Sequence, residues 1–393
     1  MVTSNTLSTF FDTDSDHDLH VKNFVDNMNF LKSLTVEEHT LYKKWEEINY
    51  NFNQEVSNLR IVKNKIWKPT NLLDKEITIN QINNLKPKII VIDETNLYDW
   101  TMIRTFCHTM VFDANIGRNL KFLVIDETTN TYIGCLNIAS DVVAITDRDK
   151  HIGWTKENRL DDKKINYTSI GSCIMSTQPF GYNFLGGKLM ATLITSKFVR
   201  DVWEQKYLNK IIGFTTTSLY GSYSMYNGIP YWKHVGSSAG KINIKPDDKV
   251  YRYMLNYVRE KHKDAYDKIT KANNAIGVSS GLKQRQLSLI FKEVGISASA
   301  YTHGYQRGVY FASIYENSKE FLCNKITESE LVMKDRYKQD VDGMLSWWKD
   351  KAIKRYLKLH EENKLNTDML FYDNLIGVSW SEAKQMYLNQ VGR

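Results

Sequence analysis

Three stretches of this chain hold residue types at spacings suited to chemistry. The first, ITDRDKHIGW at 145–154, follows an apolar run and gathers Asp147, Arg148, Asp149, Lys150 and Trp154 within eight residues. Arg148 and Lys150 suit phosphate oxygens, and Trp154 suits stacking on an unpaired base. The same residues also read as a surface ion-pair cluster with Trp154 anchored in the core. The second stretch, TQPFGYNFLGGKL at 177–189, is a glycine-bearing turn between a strand and an amphipathic helix. Unbonded N–H groups at a helix start attract anions, and Gly181, Gly186 and Gly187 would let a phosphate approach closely. Tight helix–sheet packing is the alternative use of those glycines. Neither this turn nor GSSAGK at 236–241 has the spacing of a dinucleotide fingerprint or a P-loop.

The third stretch, SLYGSYSMYNGIPYWKHVG at 218–236, places Tyr226 on a short helix or turn ahead of more aromatics and a strand. Its phenol could act as a general acid or stabilise an oxyanion. Tyr226, Tyr231 and Trp232 read equally well as core aromatics. His108, in RTFCHTMVF, is a lone histidine on a mostly apolar helix, and His303 is similar. With no HxH or HxxxH pair and no CxxC, no metal site is expected from spacing. The acidic DTDSDHD at 12–18 has His17 where a calcium loop needs glycine and Asn23 where it needs glutamate.

The elements that must position these residues fall into three regions. Residues 1–85 form an N-terminal helical region, with a capping box at Thr35 and Glu38. Residues 86–248 form an α/β domain of order β-α-β-β-β-α-β-α-β, built on KIIVID, LKFLVID, TYIGCLNIA, YTSIGSCIMS, KIIGFTTTSL and KHVGSS. Its second helix, KLMATLITSKFVRDVWEQKY, carries one apolar stripe of Met190, Ile194, Phe198 and Val202. Residues 249–393 form a mostly helical accessory region, interrupted by the strand-like QRGVYFASIY and closed by a capping pair at Ser379 and Glu382.

A chain of 393 residues can bury a sizeable core, and 42% apolar with 25% charged residues is an ordinary globular composition. No run is long and apolar enough to span a membrane, and the acidic N-terminus lacks the basic start of a secretion signal, so a cytoplasmic protein is expected. The four dispersed cysteines argue against a disulfide framework or zinc ribbon, and each reads as a small buried hydrophobe. A net charge of +7 is compatible with an enzyme that touches nucleic acid through phosphates and equally with a mildly basic soluble protein, and is weaker than that of a protein that coats DNA.

The run LKFLVIDETTNTYIGCLNIASDVVAITDRDKHIGW, followed by GSYSMYNGIPYWKHVGSSAGK, resembles the Druantia anti-phage proteins of the DruA type and, more distantly, the bacteriophage Mom DNA-modification proteins. The matching elements are Gly134-Cys135, Arg148-Asp149, Ile152-Gly153-Trp154, Tyr226, Tyr231-Trp232 and Val235-Gly236. The resemblance implies a fold like that of the GCN5-related N-acetyltransferases (GNAT), with a mixed central sheet flanked by the two accessory regions. It also implies a phage or mobile-element enzyme that acts on DNA, adding an acyl-type group such as carbamoylmethyl or acetyl to a base amine of adenine.

On that likeness Tyr226 and His108 are the catalytic candidates. The aspartate that Mom-type proteins carry at the preceding strand end is Thr216 here, with Ser218 beside it. That change removes a candidate base or metal ligand, and with it the support for a family-type iron site. Gln178 and Gly181 resemble the start of an acetyltransferase pyrophosphate loop. With Gly186 and Gly187 they would hold an acyl-CoA donor, although the second glycine arrives late. The DNA-contacting candidates are Asp147, Arg148, Asp149, Lys150 and Trp154. Two other readings stand beside this one: a non-catalytic DNA-binding or defence component, and an N-acyltransferase for a small molecule or protein.

Overall fold

The β-branched runs become strands close to their expected bounds: β1 (Pro87–Val91), β2 (Asn119–Asp126), β3 (Thr131–Ser140), β4 (Thr168–Ser176), β5 (Gly213–Ser218) and β6 (Lys233–Ser237). The computed structural model describes residues 14–390 apart from 53, 112–116, 220–223, 239–240, 276–281 and 305–306. The first residues of DTDSDHD, part of GSYSMYNG, part of GSSAGK and the side chain of His303 lie outside the described residues. By its contacts the chain divides into two compact units, one of 1–40 with 241–304 and one of 41–240 with 305–393. No described helix is long and apolar enough to cross a membrane.

The larger unit is mixed α/β. Its seven-stranded sheet has the order β1-β2-β3-β4-β5-β9-β6, with β9 spanning Gly308–Ser313. Every neighbouring pair is antiparallel except β4 and β5. Strand β9 is the alternating QRGVYFASIY segment, and it lies between β5 and β6 rather than in a separate accessory layer. Val309, Tyr310, Phe311 and Ala312 are all buried, as a central strand covered on both faces requires.

The long helix expected over 188–207 is two helices. Gly186–Leu193 ends, and Ser196 caps a new helix, Lys197–Tyr207, by accepting from the Val199 N–H at 3.5 Å. The break rotates the buried face. Phe198 is 40% exposed, whereas Val199 and Trp203 are fully buried. The first of the two helices lies so close to the sheet that a Cβ on Gly134 of β3 would meet Met190 Sδ at 2.4 Å.

The smaller unit packs Asp14–Ser33 with Asp248–Lys261, Lys263–Ala275 and Leu282–Val294, beside the short pair β7 (Lys241–Asn243) and β8 (Thr302–Gly304). Phe24, Met28 and Leu31 recur at helical spacing and are fully buried, with Phe24 edge-on to Phe291 at 5.7 Å. The Thr35–Glu38 capping box forms in both directions, at 3.0 and 3.2 Å. The Ser379–Glu382 pair does likewise at 2.7 and 3.3 Å.

Candidate functional site

The charged stretch after β3 folds as a helix, Thr146–Ile152. It ends at Gly153, whose φ of 91° is the left-handed conformation that favours glycine at a helix end. Arg148 is wholly buried. Its Nη1 lies 2.8 Å from Asp141 Oδ1 and donates to the Val142 carbonyl at 2.8 Å, while Nε and Nη2 donate to Asp149 Oδ1 at 2.9 and 2.7 Å. The second Asp141 oxygen accepts from Thr215 Oγ1 on β5 at 2.7 Å, and the second Asp149 oxygen pairs with Arg159. Trp154 covers the guanidinium at 5.1 Å and donates its indole N–H to the Leu322 carbonyl at 2.8 Å.

This arrangement corrects the expectation that Arg148, Asp149 and Trp154 face DNA. The guanidinium is turned inward and satisfied, and the indole is used as its lid. Asp147 also serves the fold. Its Oδ2 accepts from the Ser237 N–H at 2.7 Å, and a Cβ on Gly236 would come within 2.1 Å of that oxygen. Of the five residues only Lys150 is exposed and without a partner among the described residues.

Strands β4 and β5 run parallel for three pairs, Thr168↔Gly213, Ser169↔Phe214 and Ile170↔Thr215, beyond which no further pairing links them. Thr216 Oγ1 donates to the Gly171 carbonyl at 3.0 Å and lies 3.4 Å from the Tyr226 hydroxyl. Tyr226 is only 5% exposed, packed between Trp232 at 5.2 Å and Tyr310 at 5.0 Å. Burial pushes its phenol well above the ordinary tyrosine range, so it stays protonated. It is a neutral hydroxyl held inside the protein. Ser218, at the end of β5, is buried too.

The glycines of the 177–189 turn meet protein atoms. A Cβ on Gly186 would lie 2.3 Å from Ser176 Oγ, one on Gly187 2.8 Å from Met225 Sδ, and one on Gly181 2.7 Å from Gln178 Nε2. Gln178 Oε1 accepts from the Tyr182 N–H at 3.0 Å. Close packing thus accounts for these small residues, and they do not form the cradle that an acyl-CoA pyrophosphate would fill. Lys188 reaches across to the carbonyls of Met225 and Asn227, tying the Tyr226 turn to this helix start.

His108 stands just beyond its expected helix, which ends at Cys107. Its Nδ1 accepts from the Met110 N–H at 2.9 Å. Burial, then the cations of Arg104 and Lys44, hold its pKa well below the ordinary histidine value, so the ring is neutral. Among the described residues no hydrogen bond joins it to Tyr226 or Thr216. Sequence reasoning missed Lys44, which is fully buried, donates to the Thr105 carbonyl at 2.8 Å and pairs with Glu47. Burial brings its pKa down to about 8.

The residues present do not fit the iron that Mom-type likeness would bring. Among the described residues no three His, Cys, Asp or Glu side chains converge, and the position of the aspartate is filled by the bonded Thr216. A cleft of about 540 Å³, lined by Arg200, Lys210, Tyr315, Glu328 and Tyr337 among others, shares no residue with the Tyr226 or Arg148 clusters.

Fold and site together define a mixed α/β protein whose sheet forks at a buried tyrosine–threonine pair, beside an internal arginine–aspartate knot. The chain belongs to the DruA family: residues 41–324 match the family described as Druantia protein DruA. It is 25% identical over 252 residues to the Druantia protein DruA of Escherichia coli (strain UMEA 4076-1), a match covering 60% of this chain and 60% of that relative. No solved structure matches the chain.

Proposed function

We propose that this protein is an anti-phage defence component of the host-cell cytoplasm that engages DNA through a GNAT-like scaffold and does not itself transfer a group. Membership of the DruA family supports the defence role, and the net charge of +7 is compatible with a polyanionic partner. The observation that carries the non-catalytic part is the internal use of every group that transfer would need. Tyr226 is enclosed, Thr216 is bonded to Gly171, His108 is neutral and separate, and the glycine turn is packed.

On this reading DNA binding is salt-sensitive and survives Tyr226→Phe and His108→Ala, and acyl-CoA thioesters leave the melting temperature unchanged. Saturable stabilisation by an acyl-CoA, lost when Gly187 is replaced, would overturn it.

One observation favours a second reading, a GNAT-like DNA-modifying transferase acting on a base amine such as that of adenine. The strand order has a single parallel pair that opens after three residues, beside a helix start at Gly186 that no side chain caps. Tyr226 would then be the donor of a proton or hydrogen bond in the fork. The fork would have to open for substrate to reach it.

A further inference from the structure

A second group of charges lies next to the arginine knot and is built the opposite way. His151 is on the same Thr146–Ile152 helix, with its ring 6.0 Å from that of Phe311 on β9. Phe311 is paired with Lys233 at the start of β6. The Ser318–Leu322 helix, which begins with Ser318 and Lys319, is joined to the same place, because Leu322 accepts from Trp154 and the Cys323 thiol meets the Ile152 and Gly153 carbonyls at 3.5 and 3.4 Å. Lys334 arrives on a segment bonded to the end of β9, with its N–H on the Ile314 carbonyl at 3.1 Å. Burial, then the cations of Lys319, Lys233 and Lys334, bring the His151 pKa down to about 4, so these lysines act electrostatically on one imidazole.

Lys233 and Lys319 are exposed and Lys334 is half-buried. None of the three has an ion pair or side-chain hydrogen bond among the described residues. Glu316 is the carboxylate that acts on Lys334. The nearby Asp147 is already bonded to the Ser237 N–H, and Asp335 is paired with Lys338. Like charges brought together from three separate segments raise the free energy of the folded chain unless an anion joins them. An extended polyanion presents phosphates at regular spacing, and lysine suits phosphate as a point charge that carries no sequence preference.

We infer that Lys233, Lys319 and Lys334, with exposed Lys150 on the adjoining helix, form the surface that takes the phosphate backbone of duplex DNA. The inference rests on the DNA-engaging reading above and assigns it a face. That face is not the Arg148–Trp154 cluster. Binding there is electrostatic and independent of base sequence.

The test uses the full chain and a short fluorescein-labelled DNA duplex, with binding followed by anisotropy across a salt series. Each phosphate contact adds roughly 0.9 to the slope of log K against log salt. The Lys233→Gln, Lys319→Gln, Lys334→Gln triple variant should lower that slope by about 2 to 3 and weaken binding at least about tenfold. The matched variant Lys75→Gln, Lys156→Gln, Lys206→Gln, with the same loss of charge on exposed lysines elsewhere, should keep the wild-type slope.

Equal losses in both variants would overturn the assigned face while leaving DNA engagement intact. A wild-type protein that ignores duplex DNA, or binds anionic vesicles in its place, would overturn the face and the underlying reading together. Unchanged melting temperatures show that both variants fold.

Discussion

The arginine knot and the lysine rim meet at one short helix, which carries both Arg148 and His151, and they treat charge in opposite ways. At Arg148 the cation is fully buried and closed by Asp141, Asp149 and a carbonyl. At His151 three lysines approach one ring, and none has a carboxylate bonded to it. A buried charge persists only when paired, because desolvation is too costly otherwise, whereas an exposed charge can wait for a partner from outside. The difference teaches that the knot belongs to the fold and, on the reading proposed above, the rim to recognition, although Arg148, Lys150 and His151 stand together in one charged run.

The sharpest way to break the comparison is to remove Arg148. Arg148→Met should cost about 3–5 kcal/mol, because it leaves Asp141 buried without a cation and takes from Asp149 one of its two, Arg159 remaining. Urea unfolding measures this, and a loss below about 1 kcal/mol would show the knot to be dispensable. The Lys-to-Gln changes on the rim should each stay within about 0.5 kcal/mol.

Lys44 sharpens the contrast as a buried cation that its partners compensate incompletely. Its pKa of about 8 in the folded protein lies below the ordinary lysine value of 10.5, so the unfolded chain holds more protons between those limits. Stability should therefore rise as pH increases from 8 toward 10, by about 1–3 kcal/mol from this group. Denaturant melts of wild type and Lys44→Met across that window would show it, and the rise should be smaller in the variant. A third change probes the joint between knot and rim. Gly236 has a φ of 152° and no room for a Cβ beside Asp147, so Gly236→Ala should cost about 1–2 kcal/mol and loosen β6 from the helix.

Local signals made much of the fold legible. The six strand-like runs each became a strand, β1–β6, with ends shifted by up to three residues, and both capping boxes formed where Ser or Thr stands three residues before Glu. What escaped is non-local. The QRGVYFASIY segment reads as a strand, but nothing local says that β9 enters the sheet beside β5, roughly 90 residues earlier in the chain. The helix break at Ser196 was written as a serine cap inside an apolar stripe, where the stripe masked it.

The site was less legible for the same reason. Arg148 owes its burial to Asp141 and Thr215, and the rim lysines come from β6, the Ser318–Leu322 helix and the segment after it. A charged decapeptide cannot reveal partners that only the tertiary fold brings to it. Tyr226 illustrates the converse: its spacing allowed both a catalytic and a core reading, and the rings of Trp232 and Tyr310 describe the core one.

The claim that the forked strands enclose their hydroxyls for packing, and not for group transfer, is tested most directly by nucleoside mass spectrometry. DNA is taken from cells producing the wild-type protein and from cells producing Tyr226→Phe. The account predicts unmodified, identical nucleosides from both. A new base adduct present with the wild type and absent with Tyr226→Phe would contradict it.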